Sequence, residues 1–258
     1  MFVHNINPEL ISIGPLSIRY YGIVYVIGFL ITLFIFLKIA EKKKIKNLSK
    51  DKAIDLILYM MLGGVIGARL FHVALFFKDY LSNPLDIFKF WQGGMAFIGG
   101  LAGGILVIIY YCKKHKINFY EVADIIVIPF ALFLGFGRIA NFINGEFIGK
   151  ITDVPWCVQF KNYLGCRHPS QIYEALKNFF IFGVLFFISK RKYKTGIIFW
   201  SFITLYGLLR FITNFWRFGT RYFGLSLGQY LGLIMFILGT IVLIKQKYIN
   251  LKFLKIRK

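Results

Sequence analysis

Four arginines, Arg69, Arg138, Arg210 and Arg217, stand within or at the edge of long apolar stretches, and Arg19 stands beside the first such stretch. A charge at bilayer depth costs roughly 3 kcal/mol or more, so it marks a cavity, a pathway or a bound anion. Guanidinium is planar, permanently charged and able to grip two phosphate oxygens at once. Several such groups would hold an anion and stabilise negative charge that develops on it during a reaction. An amphiphilic anion at membrane depth, with a phospholipid headgroup as the natural example, meets these requirements.

The elements that must position these groups are membrane helices. Apolar runs near 19–39, 54–77, 95–112, 120–140, 171–189, 196–216 and 226–244 are each long enough to span a bilayer. The fold class expected is therefore all-α: a polytopic membrane protein with about seven transmembrane helices. It reads as a single membrane domain over 1–258 with a loop-rich insertion near 141–170. Lysine and arginine crowd alternate connections (Lys42 to Lys52, Lys113 to Lys116, Lys190 to Lys194 and the tail from Lys245), which by the positive-inside rule puts the amino terminus outside and the carboxyl terminus in the cytoplasm. No basic segment precedes the first apolar run, so no secretory signal peptide is read there.

Composition agrees. The chain is 58% hydrophobic, 19% aromatic and 17% charged, with a mean hydropathy of +0.66. A net charge of +21 sits in short loops, where it suits anionic lipid headgroups rather than nucleic acid. Cys112, Cys157 and Cys166 lack metal-ligand spacing, and no metal or cofactor is expected. Cys157 and Cys166 are candidates for a disulfide in an oxidising compartment. Gly63 and Gly67, Gly64 and Ala68, Gly99 and Gly103, and Gly100 and Gly104 are small residues four apart, best read as helix-packing positions.

With that orientation the polar groups gather toward the outer leaflet. Arg69 and His72 lie in the outer half of the second helix, and Arg138 and Asn141 end the fourth. Tyr206, Arg210, Asn214 and Arg217 fall within an arc of about 80° at helical spacing. Tyr21 opens the first helix, and His168 and Gln171 precede or open the fifth. Structural alternatives stand beside each: Arg19 and Arg217 snorkelling to the interface, Arg138 bridging to Glu146, His72 packing, and Glu174 with Lys177 as a local ion pair.

The segment Gly137-Arg138-Ile139-Ala140-Asn141-Phe142-Ile143-Asn144-Gly145-Glu146, followed by Gly149, resembles the signature of the bacterial prolipoprotein diacylglyceryl transferases. Tyr20-Tyr21-Gly22, Gly67-Ala68-Arg69, Gly93-Gly94-Met95 with Gly99-Gly100-Leu101, His168-Pro169-Ser170-Gln171 with Tyr173-Glu174, and Tyr206-Gly207 leading to Arg210-Phe211 extend the resemblance in order along the chain. It implies an enzyme of the prokaryotic plasma (inner) membrane, with its active site toward the extracytoplasmic leaflet. Such an enzyme moves the diacylglyceryl group of phosphatidylglycerol onto the lipobox cysteine of a prolipoprotein as a thioether and releases glycerol phosphate. The family's catalytic arginines fall on Arg138 and Arg210. Its further substrate-binding positions fall on Tyr21, Asn141, Glu146, Gly149 and Arg217; Arg69, Tyr206, His72 and His168 join them from the polar groups above.

Two departures stand out. Ile98 occupies the place of a usual histidine and Asn214 that of a usual glutamate. Isoleucine cannot accept the thiol proton, so cationic guanidinium neighbours that lower the thiol pKa are the preferred substitute, with His72 and Glu146 as alternative acceptors. The rival readings are a phospholipid-binding relative with impaired catalysis and an anion transporter. A transporter needs polar residues through both leaflets, whereas the inner halves of these spans are almost wholly apolar.

Overall fold

The computed structural model of the protein describes residues 2–13, 16–89, 94–161 and 163–246; the side chains of residues 12, 13, 16–19, 21 and 25 are outside that description. In chain order the elements are β1 (Phe2–His4), β2 (Glu9–Ile13), β3 (Leu16–Arg19), α1 (Tyr20–Lys43), α2 (Lys50–Leu75), the single turn α3 (Phe77–Tyr80), α4 (Phe97–Lys114), α5 (Phe119–Ile143), β4 (Val158–Phe160), α6 (Ser170–Ser189), α7 (Ile197–Thr213) and α8 (Leu227–Lys245). Short 3-10 turns cover Pro84–Phe88 and Asn214–Trp216.

Among the described residues, seven helices are long and apolar enough to cross a membrane, matching the seven expected spans: α1, α2, α4, α5, α6, α7 with its 3-10 extension, and α8. Within hydrocarbon every backbone N–H and C=O must be satisfied inside the chain, which a continuous helix achieves. Outward-facing Leu58, Leu62, Ile66 and Leu70 make an exposed apolar stripe along α2, and Leu106 and Tyr110 do the same on α4. In water that much apolar surface would be unfavourable; against acyl chains it is the expected covering. The protein is a multi-pass membrane protein.

The chain forms two compact units, one of Met1–Phe36 with Ala123–Lys258 and one of Leu37–Val122. In the second, α2 and α4 approach backbone to backbone. A Cβ on Gly103 would lie 2.1 Å from the Gly63 carbonyl oxygen, and one on Gly99 would lie 2.4 Å from that of Gly67. The small-residue spacing therefore serves helix packing.

Two small sheets were not expected. β1 pairs in parallel with β4, Phe2 opposite Val158 and His4 opposite Phe160, and β2 pairs with β3 as a hairpin. Three to five residues each, these strands are too short for their alternation to stand out in the sequence, and β1 finds its partner over 150 residues away. His4 Nε2 lies 2.6 Å from the Phe142 carbonyl oxygen, tying β1 to the end of α5. Cys157 and Cys166 are joined as a disulfide, with Cα atoms 5.5 Å apart.

Candidate active site

In the unit that holds α5, α6 and α7, one carboxylate organises the polar cluster. Glu174, on the second turn of α6, is 4% exposed. Its Oε2 lies 2.6 Å from Arg210 Nη1, 3.0 Å from Lys177 Nζ and 3.8 Å from Arg138 Nε. Its Oε1 accepts a hydrogen bond from the Thr213 hydroxyl. Buried charges need partners, and here three cations from three helices share one anion. Lys177 Nζ also sits 4.2 Å from the centre of the Tyr206 ring. The expected local pair of Glu174 with Lys177 exists, but as one side of this larger cluster.

Arg138 leads outward from Glu174 to the turn beyond α5. Its Nη1 donates to Asn141 Oδ1 (3.3 Å), Asn141 Nδ2 donates to Glu146 Oε2 (3.2 Å), and Asn144 Nδ2 donates to Glu146 Oε1 (3.3 Å). Arg138 thus reaches Glu146 through Asn141, while the carboxylate within ion-pair distance is Glu174. In place of the direct bridge from Arg138 to Glu146, one of the structural alternatives, there is a relay through an amide.

The third guanidinium arrives differently from the expected helical stripe. α7 ends at Thr213, the chain tightens into the 3-10 turn Asn214–Trp216, and Arg217 follows in extended conformation (φ −80°, ψ 139°). Asn214 contributes to the ending, since its Nδ2 donates to the Arg210 carbonyl and side-chain bonds of this kind compete with the helical ladder. Arg217 instead pairs with Gly149 in an antiparallel bridge. Its guanidinium lies 4.8 Å from the centre of the Phe147 ring, with that of Arg138 at 5.8 Å from the same ring. Burial, followed by the positive charges of Arg210 and Arg138, pulls the Arg217 pKa down to about 10. It remains a cation at neutral pH.

Gly149 is required by close approach. A Cβ there would lie 2.3 Å from the His168 carbonyl oxygen, whose partner is the Gly149 N–H (3.1 Å). His168 Nδ1 lies 3.1 Å from the Tyr173 hydroxyl, which accepts from Trp156 Nε1 (2.8 Å). Burial first, then the nearby Lys150 charge, lower the His168 pKa below its ordinary value, so its ring is neutral at pH 7.

The structure therefore brings together Arg138, Asn141, Glu146, Gly149, His168, Tyr206, Arg210 and Arg217. Arg69 and His72 belong to the other unit. There Arg69, 3% exposed, donates to the carbonyls of Asp86 (2.5 Å), Ile87 (2.9 Å) and Gly94 (3.1 Å), and its guanidinium lies 5.3 Å from the Tyr80 ring centre. Gly94 has φ +71°, and a Cβ on it would meet Arg69 and His72 at 2.6 and 2.7 Å. His72 packs edge-on against Phe76 and Tyr80. The side chains of Tyr21 and Arg19, and Gly93 of the glycine pair, lie outside the described residues. Ile98 is exposed on the first turn of α4.

Sequence reasoning missed Glu174 as the shared counterion, together with Thr213 and Phe147. The available signal was an acid inside an apolar span, which is as costly there as an arginine.

Arg138 Nη2, Arg210 Nη2 and the guanidinium nitrogens of Arg217 have no hydrogen-bond partner among the described residues. A half-buried group of guanidiniums that exceeds its one buried carboxylate in charge, with N–H donors left over, is arranged to receive an anion.

The family model described as prolipoprotein diacylglyceryl transferase matches residues 8–245. The chain is 40% identical over 243 residues to the phosphatidylglycerol–prolipoprotein diacylglyceryl transferase of Geobacter sulfurreducens, covering 91% of this chain and 93% of that protein. It is 43% identical over 249 residues to the protein of that name from Rickettsia rickettsii (92% and 95% covered) and 38% identical over 250 residues to that from Vibrio atlanticus (93% and 90% covered). The chain belongs to the prolipoprotein diacylglyceryl transferase family.

Proposed function

We propose that this protein transfers the diacylglyceryl group of phosphatidylglycerol to the lipobox cysteine thiol of prolipoproteins. A thioether forms and glycerol phosphate is released, the first step of lipoprotein maturation. The observation that carries this reading is the pairing of Arg138 and Arg210 with a single buried carboxylate, and of Arg217 with the Phe147 ring that Arg138 also meets, with donors remaining for an anion.

The thiolate sulfur attacks the terminal glycerol carbon of the lipid. The C–S bond forms as the C–O bond to phosphate breaks, and the electron pair of that bond leaves with the phosphate. Negative charge therefore grows on the departing group, where Arg138 and Arg210 stabilise it; losing one such preorganised donor costs about 10²–10³ in rate. Arg217, Asn141, Glu146, Gly149, Tyr206, His168 and Tyr21 bind or shape the headgroup site. Arg69 holds the carbonyls of Asp86, Ile87 and Gly94, and His72 packs beside it. The thiol, with an ordinary pKa near 8.5, loses its proton more readily beside guanidinium charges, which makes Ile98 tolerable.

Loop charges support an amino terminus outside and a carboxyl terminus in the cytoplasm. In this reading the chain acts as one membrane domain in the prokaryotic plasma membrane, with its active site toward the extracytoplasmic leaflet. The bilayer and a lipobox-bearing signal peptide are its partners, and nucleic acid is not. The test is glycerol phosphate release from phosphatidylglycerol vesicles and a lipobox peptide. Well-folded protein that releases none rejects the assignment.

A further inference from the structure

From Glu146 to Lys150 a hydrogen bond holds the backbone at every residue. Gln171 Nε2 donates to Glu146 O (2.6 Å) and Ser170 Oγ to Phe147 O (2.7 Å). Phe218 N donates to Ile148 O (3.1 Å), Gly149 N to His168 O (3.1 Å) and Lys150 N to Trp216 O (2.9 Å). Ser170 and Gln171, the donors nearest Phe147, are buried on the first turn of α6.

Phe147 sits inside this clamp with φ +55°. A bulky L-residue is disfavoured in the left-handed region, where the Cβ crowds the following carbonyl. Such strain persists where the surroundings over-determine it, and it concentrates at functional sites. Burial does not account for the choice of side chain, because Phe147 is 51% exposed.

What the ring does meet is charge. Arg217 and Arg138 place their guanidinium carbons 4.8 and 5.8 Å from its centre. These two cations repel each other, and among the described residues Arg217 has no ion-pair partner. An aromatic ring attracts cations through its negative face. Unlike a carboxylate, it adds no net charge to repel an incoming phosphate.

We propose that Phe147 is a positioning residue for the transfer: its ring seats Arg138 and Arg217 together, and the clamped left-handed backbone keeps the ring there. The proposal rests on reading this cluster as the phosphatidylglycerol headgroup site. Both arginines then present their remaining donors toward one phosphate. Glycine at 147 would relax the backbone and lose the seat, so strain and function are separable at this position.

The test is steady-state glycerol phosphate release against phosphatidylglycerol concentration, with thermal unfolding of each variant. Phe147→Leu is expected to raise KM about tenfold, the size of one cation–ring contact, and Phe147→Trp to stay near wild type. Phe147→Gly is expected to raise KM at least as far while its Tm holds or rises. Replacing Phe147 by mono-, di- and trifluorophenylalanine weakens the ring's negative face at nearly constant shape, so KM is expected to climb stepwise along the series. A flat fluorination series, or Phe147→Leu with wild-type KM, overturns the proposal while wild-type turnover leaves the headgroup reading standing. Wild-type protein that releases no glycerol phosphate overturns that reading, and the proposal with it.

Discussion

Arg210 Nη1 and Glu174 Oε2 lie 2.6 Å apart, joining α7 to α6 through an ion pair in which the carboxylate is 5% exposed. The same oxygen serves Lys177 and Arg138, so removing it leaves three cations without their anion. Breaking a buried pair from one side costs about 3–5 kcal/mol. Glu174→Gln is therefore expected to lower stability by that order in denaturant unfolding. Adding Lys177→Met removes the most buried of those cations and is expected to restore part of the loss. A double variant no more stable than Glu174→Gln argues against charge compensation.

Arg138→Lys keeps a positive charge but loses the planar fork that serves Asn141 and Glu174 and that, in the proposed function, also grips the incoming phosphate. The expected result is a fall of about 10²–10³ in kcat, with a smaller change in unfolding temperature. Near-wild-type turnover would mean that a point charge suffices.

Gly149→Ala puts a methyl 2.3 Å from a carbonyl oxygen that already accepts the Gly149 N–H. The backbone has to move, and the segment carrying Glu146 and Phe147 moves with it. A destabilisation of about 1–3 kcal/mol is expected, with loss of glycerol phosphate release. An active, fully stable alanine variant would show that the segment at 149 and the loop at 168 can separate without consequence.

His168 titrates in the folded protein below its ordinary value of 6.5, because of burial first and Lys150 second. Between the two values the unfolded chain binds more protons than the folded one, so stability rises with pH in that window. The contribution is complete above pH 6.5 and is lost as pH falls through the folded value. Unfolding measured at pH 5.5 and 7.5 is expected to show wild type losing more stability on acidification than His168→Gln. Equal losses would remove His168 as the cause.

Ile98 is exposed at the start of α4. A dedicated general base contributes about 10²–10⁴, whereas in the proposed mechanism guanidinium neighbours already favour the thiolate. Ile98→His is expected to change kcat by less than about threefold. A gain in the hundreds would show that the wild-type site lacks a base it needs.

The amino-acid order alone determined the seven spans, since a stretch of some 20 apolar residues has one economical state in hydrocarbon, a helix that satisfies its own backbone. It also marked Arg138 and Arg210 as polar groups with a reason to be there, because charge inside such a stretch is costly wherever its partner is. Local spacing went one step further and paired Glu174 with Lys177, three residues apart on one helix. Only the tertiary structure decided that this carboxylate also serves Arg138 from α5 and Arg210 from α7, because counterion choice depends on which helices pack together. The same holds for Arg217, which helical periodicity put in line with Arg210. In the fold the helix ends before Arg217, and the bridge to Gly149 and the ring of Phe147 set its position. Those contacts join segments some 70 residues apart, and no local pattern encodes them.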